Sequence, residues 1–153
     1  LYTNKFTFAT LPRTERGKPL VLSADPKGQH FLYTNGNSVI IRNLENPEIS
    51  DVYTQHSCPV LVAKYSPSGF YIASADKSGK IRIWDTVNKE HILKNEFQPI
   101  SGPIKDLAWS SDNQRSATIF PFILNPNSLH PQDCCCWRGE RKVWTRVLGR
   151  HRN

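Results

Sequence analysis

The stretch AKYSPSGFYIASADKSGKIRIWD, residues 63–85, reads as three short strands separated by two polar turns. Tyr65 closes an apolar strand. Ser66-Pro67-Ser68-Gly69 carries turn chemistry, with Pro presetting φ and Gly free to take positive φ. Phe70 to Ser74 form a second strand, and Lys77-Ser78-Gly79 a second turn. Ile81 and Ile83 then alternate with Arg82 before Trp84-Asp85, the period-two signature of a strand. Val60, Val62, Ala63, Ile72, Ala73, Ile81, Ile83 and Trp84 are the expected buried residues of this unit.

Taken together these residues resemble a WD repeat, one blade of a β-propeller, whose signature includes the dipeptide Trp84-Asp85. The resemblance implies a set of structural positions. In that family a His before the blade, a Ser or Thr on the second strand, an Asp in the turn and the Trp share buried hydrogen bonds. His56, Ser74 and Trp84 fit. Ser78 stands at the turn position where Asp is usual, and Gln55 replaces the usual Gly before the His. The four-residue network is therefore expected to be incomplete.

A propeller needs repetition, and the chain supplies it. Ser23-Ala24-Asp25-Pro26-Lys27-Gly28 superposes on Lys64 to Gly69. Phe31-Leu32-Tyr33-Thr34 matches Tyr71-Ile72-Ala73-Ser74. Asn35-Gly36-Asn37 is a hairpin turn where Gly and Asn tolerate positive φ. Val39 to Arg42 matches Lys80 to Ile83 loosely, with Asn43 and Leu44 in place of Trp and Asp. A third unit starts at Pro103 and runs to Asp112, matching Pro59 to Ser68. Its next strand is expected after Arg115, where the repeat's turns and alternation stop. The expected fold is all-β: an incomplete WD-repeat propeller over residues 1–115, about two blades and the start of a third. An irregular, poorly packed tail is expected over 116–153. Propellers have about four to eight blades, so a fragment of a larger protein is expected.

The tail also departs in composition. The chain has 153 residues and a formal net charge of +7. Residues 116–153 hold 6 Lys and Arg against 2 Asp and Glu; the whole chain holds 20 against 13, which leaves 14 against 11 for the rest. Cys58 is alone in the body, while Cys134, Cys135 and Cys136 are adjacent and lack the spacing of a metal or redox pair. Codon arithmetic accounts for the break. With Asp133 as GAT, the cysteines as TGT and Trp137 as TGG, a one-base shift reads Ile-Val-Val-Val-Gly, the strand and turn the third repeat lacks. Val143 to Gly149 permit a WD-like strand end in the same shifted frame. Residues 116–132 thus read as retained intron and 133–153 as exon out of frame. The basic cluster Arg138, Arg141, Lys142, Arg146, Arg150 and Arg152 would otherwise suggest a nucleic-acid binder.

Asp25 to Gly28, Phe31 to Gly36, Ile41 to Asn43, Val62 to Asp85, Lys89 to His91 and Ile104 to Asp106 together resemble the actin-interacting protein 1 family, at the N-terminal end of its double propeller. The resemblance covers residues 5–115. It implies partners, actin filaments and cofilin, and an activity, the disassembly of cofilin-decorated filaments. A general WD-repeat scaffold and a basic nucleic-acid binder are the alternatives. No catalytic, cofactor-binding or metal motif is present: the P-loop, GxGxxG, GxSxG and HExxH patterns are all missing. His56 lacks a nucleophile motif around it, and Asp76 and Asp85 read as turn carboxylates rather than an acid pair, so no enzyme is expected. The chain opens on Leu1 rather than Met, with no signal peptide and no apolar run long enough for a span. A truncated start, a cytoplasmic location at the actin cytoskeleton, and no nucleic-acid or membrane partner are the expectations.

Overall fold

Strand β2 (His30–Asn35) and strand β3 (Ser38–Asn43) pair antiparallel about a two-residue turn, Asn35 opposite Ser38. Gly36 alone takes positive φ there, at 56°, so the turn needs one permissive residue rather than the two expected. The computed structural model describes residues 2–3, 9–17, 20–111, 115–121, 134–137 and 140–146, the last three by backbone alone. Strands β1 (Ser23–Ala24) and β4 (Ser50–Tyr53) complete a sheet of order β1-β2-β3-β4. A second meander follows: β5 (Val60–Tyr65), β6 (Tyr71–Asp76), β7 (Ile81–Asp85) and β8 (Leu93–Phe97), ordered as in the chain. The repeated turns are built alike. Gly28 N–H donates to Asp25 O at 2.8 Å and Gly69 N–H to Ser66 O at 2.9 Å, with both glycines at positive φ.

Alternation places the two faces of the second sheet in different cores. Ala63, Ile72 and Trp84 face the first sheet, where they pack with Leu32, Val39, Ile41, Tyr53 and Val60. Val62, Ala73, Ala75, Ile81 and Ile83 face the other way and pack with Ile104 and Leu107. Val60 and Ala63 share a face although three residues apart, because the register of β5 shifts between Val60 and Val62. A bulge of this kind adds one residue and resets the alternation. All eight expected core residues of this unit are buried.

The third sheet begins with β9 (Asp106–Trp109) beside β10 (Arg115–Pro121). The sequence reading placed an irregular tail after Arg115. Within that stretch the backbone describes β10, β11 (Cys134–Trp137) and β12 (Glu140–Arg146), in the sheet order β11-β12-β10-β9. Here β12 takes the place beside β10 and β11 lies outermost, so the chain departs from the meander of the first two sheets. Residues 116–132, read as intron, contribute β10; their remainder, 122–132, lies outside the described residues, as do 147–153.

The three sheets stand face to face in succession. Their first strands lie against one another, tied by Tyr65 N–H to Ser23 Oγ at 3.2 Å and by Trp109 Nε1–H to Lys64 O at 3.2 Å. The outer face of the first sheet is crossed by residues 9–11. Arg42 Nη2 donates to Ala9 O at 2.8 Å, and Asn35 Nδ2 to Leu11 O at 2.8 Å.

Candidate functional site

His56 sits in the connection from β4 to β5, where the chain passes from the first sheet to the second. Its side chain is fully buried, as is that of Asp76. Nε2 lies 2.7 Å from Ser74 Oγ and Nδ1 lies 3.2 Å from Asp76 Oδ2. Trp84 Nε1–H donates to the same Ser74 Oγ at 3.0 Å. Asp76 Oδ1 accepts from Ser78 N at 2.9 Å, Ser78 Oγ at 2.5 Å and Lys80 N at 3.2 Å. The strand pattern explains the convergence. Residues 74 and 76 project from one face of β6, and Trp84 stands opposite Ile72 on that face,.

The proton positions follow from the partners. A carboxylate only accepts, so Nδ1–H donates to Asp76. Nε2 then accepts from the Ser74 hydroxyl, whose oxygen accepts from Trp84. His56 is thus a neutral imidazole. Burial pushes its proton affinity below the usual histidine range, and this outweighs the opposing hydrogen bond and charge of Asp76,. For Asp76, burial acts to raise the pKa, but hydrogen bonds from Ser78, His56 and Lys80 together hold it below the usual carboxylate range.

The geometry corrects one sequence expectation. His56, Ser74 and Trp84 come together as read, but the carboxylate that closes the network is Asp76, two residues before the expected position. Ser78 serves it from the turn. Asp76 was legible as the residue two beyond Ser74 on the same strand face. Asp85 is not in the network. It lies at the opposite end of the β6–β7 hairpin from Asp76, where Oδ2 accepts from Asn88 Nδ2 at 3.4 Å and pairs with Lys94 Nζ at 3.3 Å. A site this enclosed admits no substrate, and what the network does is fasten the β4–β5 connection, β6 and β7 to one another.

Stacking extends the fastening across the sheet interface. Tyr53 of β4 stacks on Trp84 at 4.2 Å between centroids and 10° between planes. At one rim of this interface a groove of about 580 Å³ opens, lined by Lys27, Asp51, Phe70 and His91 among others. Ile49, Phe70 and Val87 stand exposed along it, and Lys27 Nζ lies 5.6 Å from the centre of the Phe70 ring. Among the described residues no group of three or more His, Cys, Asp or Glu side chains could hold a metal ion, and no helix is long and apolar enough to cross a membrane.

Residues 48–85 match the family described as WD domain, G-beta repeat. The chain carries a WD repeat. The matched stretch takes in β4 of the first sheet and β5, β6 and β7 of the second, so the repeat straddles two blades, and the His56 network sits across the junction. Over 118 residues, 77% of its length, the chain is 77% identical to Actin-interacting protein 1 of Drosophila melanogaster. Over the same length it is 61% identical to WD repeat-containing protein 1 of Xenopus tropicalis and 60% identical to that of Mus musculus. The chain spans 19%, 19% and 20% of these three relatives, about one fifth of each.

Proposed function

We propose that the WD repeat belongs to a non-catalytic protein that acts on actin filaments, promoting the disassembly of filaments decorated with cofilin in the cytoplasm. The observation that carries this reading is the 77% identity to the Drosophila protein whose name records an interaction with actin. The enclosed network supports a binding rather than a catalytic role, because its histidine and serine are buried and mutually satisfied. Cofilin enters through the family resemblance of residues 5–115. Nucleic acid and membranes are not proposed as partners.

The test is co-sedimentation of the full-length relative and of this chain with actin filaments, with and without cofilin. Cofilin-dependent retention of the full-length protein is expected. A full-length protein that stays in the supernatant in both arms would leave a general WD-repeat scaffold as the reading.

A further inference from the structure

Turns from both of the first two sheets meet around the groove at their rim. Phe70 follows the Ser66–Gly69 turn of the second sheet. Thr86 N–H donates to Phe70 O at 3.0 Å and Thr86 Oγ–H to Gly69 O at 2.8 Å. These bonds tie that turn to the β7–β8 connection, which brings Val87 and Lys89 to the groove. The first sheet supplies its β3–β4 connection, where Asn43 N–H donates to Ile49 O at 3.2 Å. Ile49 is 60% exposed, Phe70 51% and Val87 70%. Apolar side chains scattered singly over a surface are ordinary, but three on one cleft mark a contact surface. The cleft volume of about 580 Å³ is that of a pocket able to take a few side chains,.

The charges around the cleft are not equally engaged. Asp25 has a side chain only 9% exposed; its Oδ1 accepts from Lys27 N–H at 3.3 Å, and His30 Nδ1 lies 3.8 Å from its Oδ2. Asp51 accepts from Val52 N–H through Oδ1 at 3.0 Å, and His91 Nε2 lies 2.8 Å from its Oδ2. Both carboxylates thus already face nitrogens of this chain. Lys27 and Lys89 are exposed, and among the described residues neither belongs to an ion pair. Each stands beside an apolar group: Lys27 Nζ is 5.6 Å from the centre of the Phe70 ring, and Lys89 is two residues along the chain from Val87. We propose that the groove docks a partner segment in which an apolar side chain lies between carboxylates. The apolar group enters among Ile49, Phe70 and Val87, and the carboxylates meet Lys27 and Lys89. Apolar burial supplies the affinity, while the two cations set the sign of charge that is accepted. A basic segment would bring its charge against the lysines.

The experiment titrates the full chain into the peptide Glu-Glu-Leu-Glu-Glu carrying a neutral dye, and follows fluorescence anisotropy. Glu-Glu-Ser-Glu-Glu is expected to bind about tenfold more weakly, for want of the apolar group. Lys-Lys-Leu-Lys-Lys is expected not to bind. Lys27→Glu and Lys89→Glu should each weaken the acidic Leu peptide about fivefold, a loss that shrinks with added salt. Lys77→Glu makes the same change of net charge on an exposed lysine at the other end of the β6–β7 hairpin. It should leave the affinity within about twofold, since that end lies beyond the screening length. All three lysines are exposed, so the variants keep the fold, which circular dichroism checks. No binding of the acidic Leu peptide at about 1 mM would overturn the docking site. So would equal binding of the basic peptide, or a loss in Lys77→Glu as large as in Lys27→Glu.

Discussion

At the scale of single residues, Asp76 is where the network is most vulnerable. It receives His56 through one carboxylate oxygen and three donors from the turn through the other. Asp76→Ala strands four donors, one buried and three part-buried, and is expected to cost about 3 kcal/mol, whereas Ser78→Ala removes one donor and should cost about 1 kcal/mol. Denaturant midpoints of the two variants decide between Asp76 and Ser78 as the member that matters. The same pair of groups sets an acid response. His56 and Asp76 both have proton affinities lowered by folding. Their stabilisation is therefore complete above the unfolded histidine range, about 6.5, and begins to be lost as pH falls through it. Asp76 adds a second loss below about 4. Stability of the chain, followed from about pH 8 down to about pH 3, should decline in these two stages. A flat profile between about pH 7 and about pH 5 would contradict the neutral assignment of His56.

At the scale of elements, glycines separate into those that only turn the chain and those that also admit a neighbour. A Cβ on Gly36 would meet nothing within 4 Å, so Gly36→Ala should cost about 1 kcal/mol for its positive φ alone,. A Cβ on Gly79 would lie 2.0 Å from Ile100 O and 2.9 Å from Gly102 O. The β8–β9 connection is pressed onto that turn, with Gly102 N–H donating to Ser78 O at 3.1 Å. Gly79→Ala is therefore expected to cost about 3 kcal/mol or more and to loosen residues 98–102, visible as faster amide exchange. The strands and turns of the first two sheets were legible because alternation and turn chemistry are local properties. The Val60–Val62 bulge was not, since nothing in Val60-Leu61-Val62 announces an extra residue until the two cores claim opposite faces. Nor was the order of the third sheet: adjacent cysteines and scattered basic residues give no period from which to place β11 outside β12.

At the scale of the whole molecule, the described residues form three sheets in succession. Each blade in such an array is stabilised by its neighbours. The chain, spanning about a fifth of its relatives, is therefore expected not to accelerate disassembly of cofilin-decorated filaments when purified alone, whereas a full-length relative should. Filament length followed by fluorescence microscopy, with cofilin in every arm, checks this; equal shortening by both would refute the incomplete-ring argument. Blade identity was legible from residues 63–85, but partner contacts were not. Exposed residues such as Ile49, Phe70 and Val87 carry no periodic pattern that separates a docking surface from an ordinary rim.

The register of the matched unit against the sheets has a consequence for how such chains can grow or be cut. A copy of residues 48–85 inserted by tandem duplication would not add a free-standing block. It would lay its first strand on the preceding sheet and its other three on a new one, like a tile overlapping the course below. Every internal seam is then bridged by covalent chain as well as by packing. A protease or gene break after Asp85 would leave β7 as a bare edge, open to a strand donated by another chain, whereas a break after Tyr53 would leave a finished sheet.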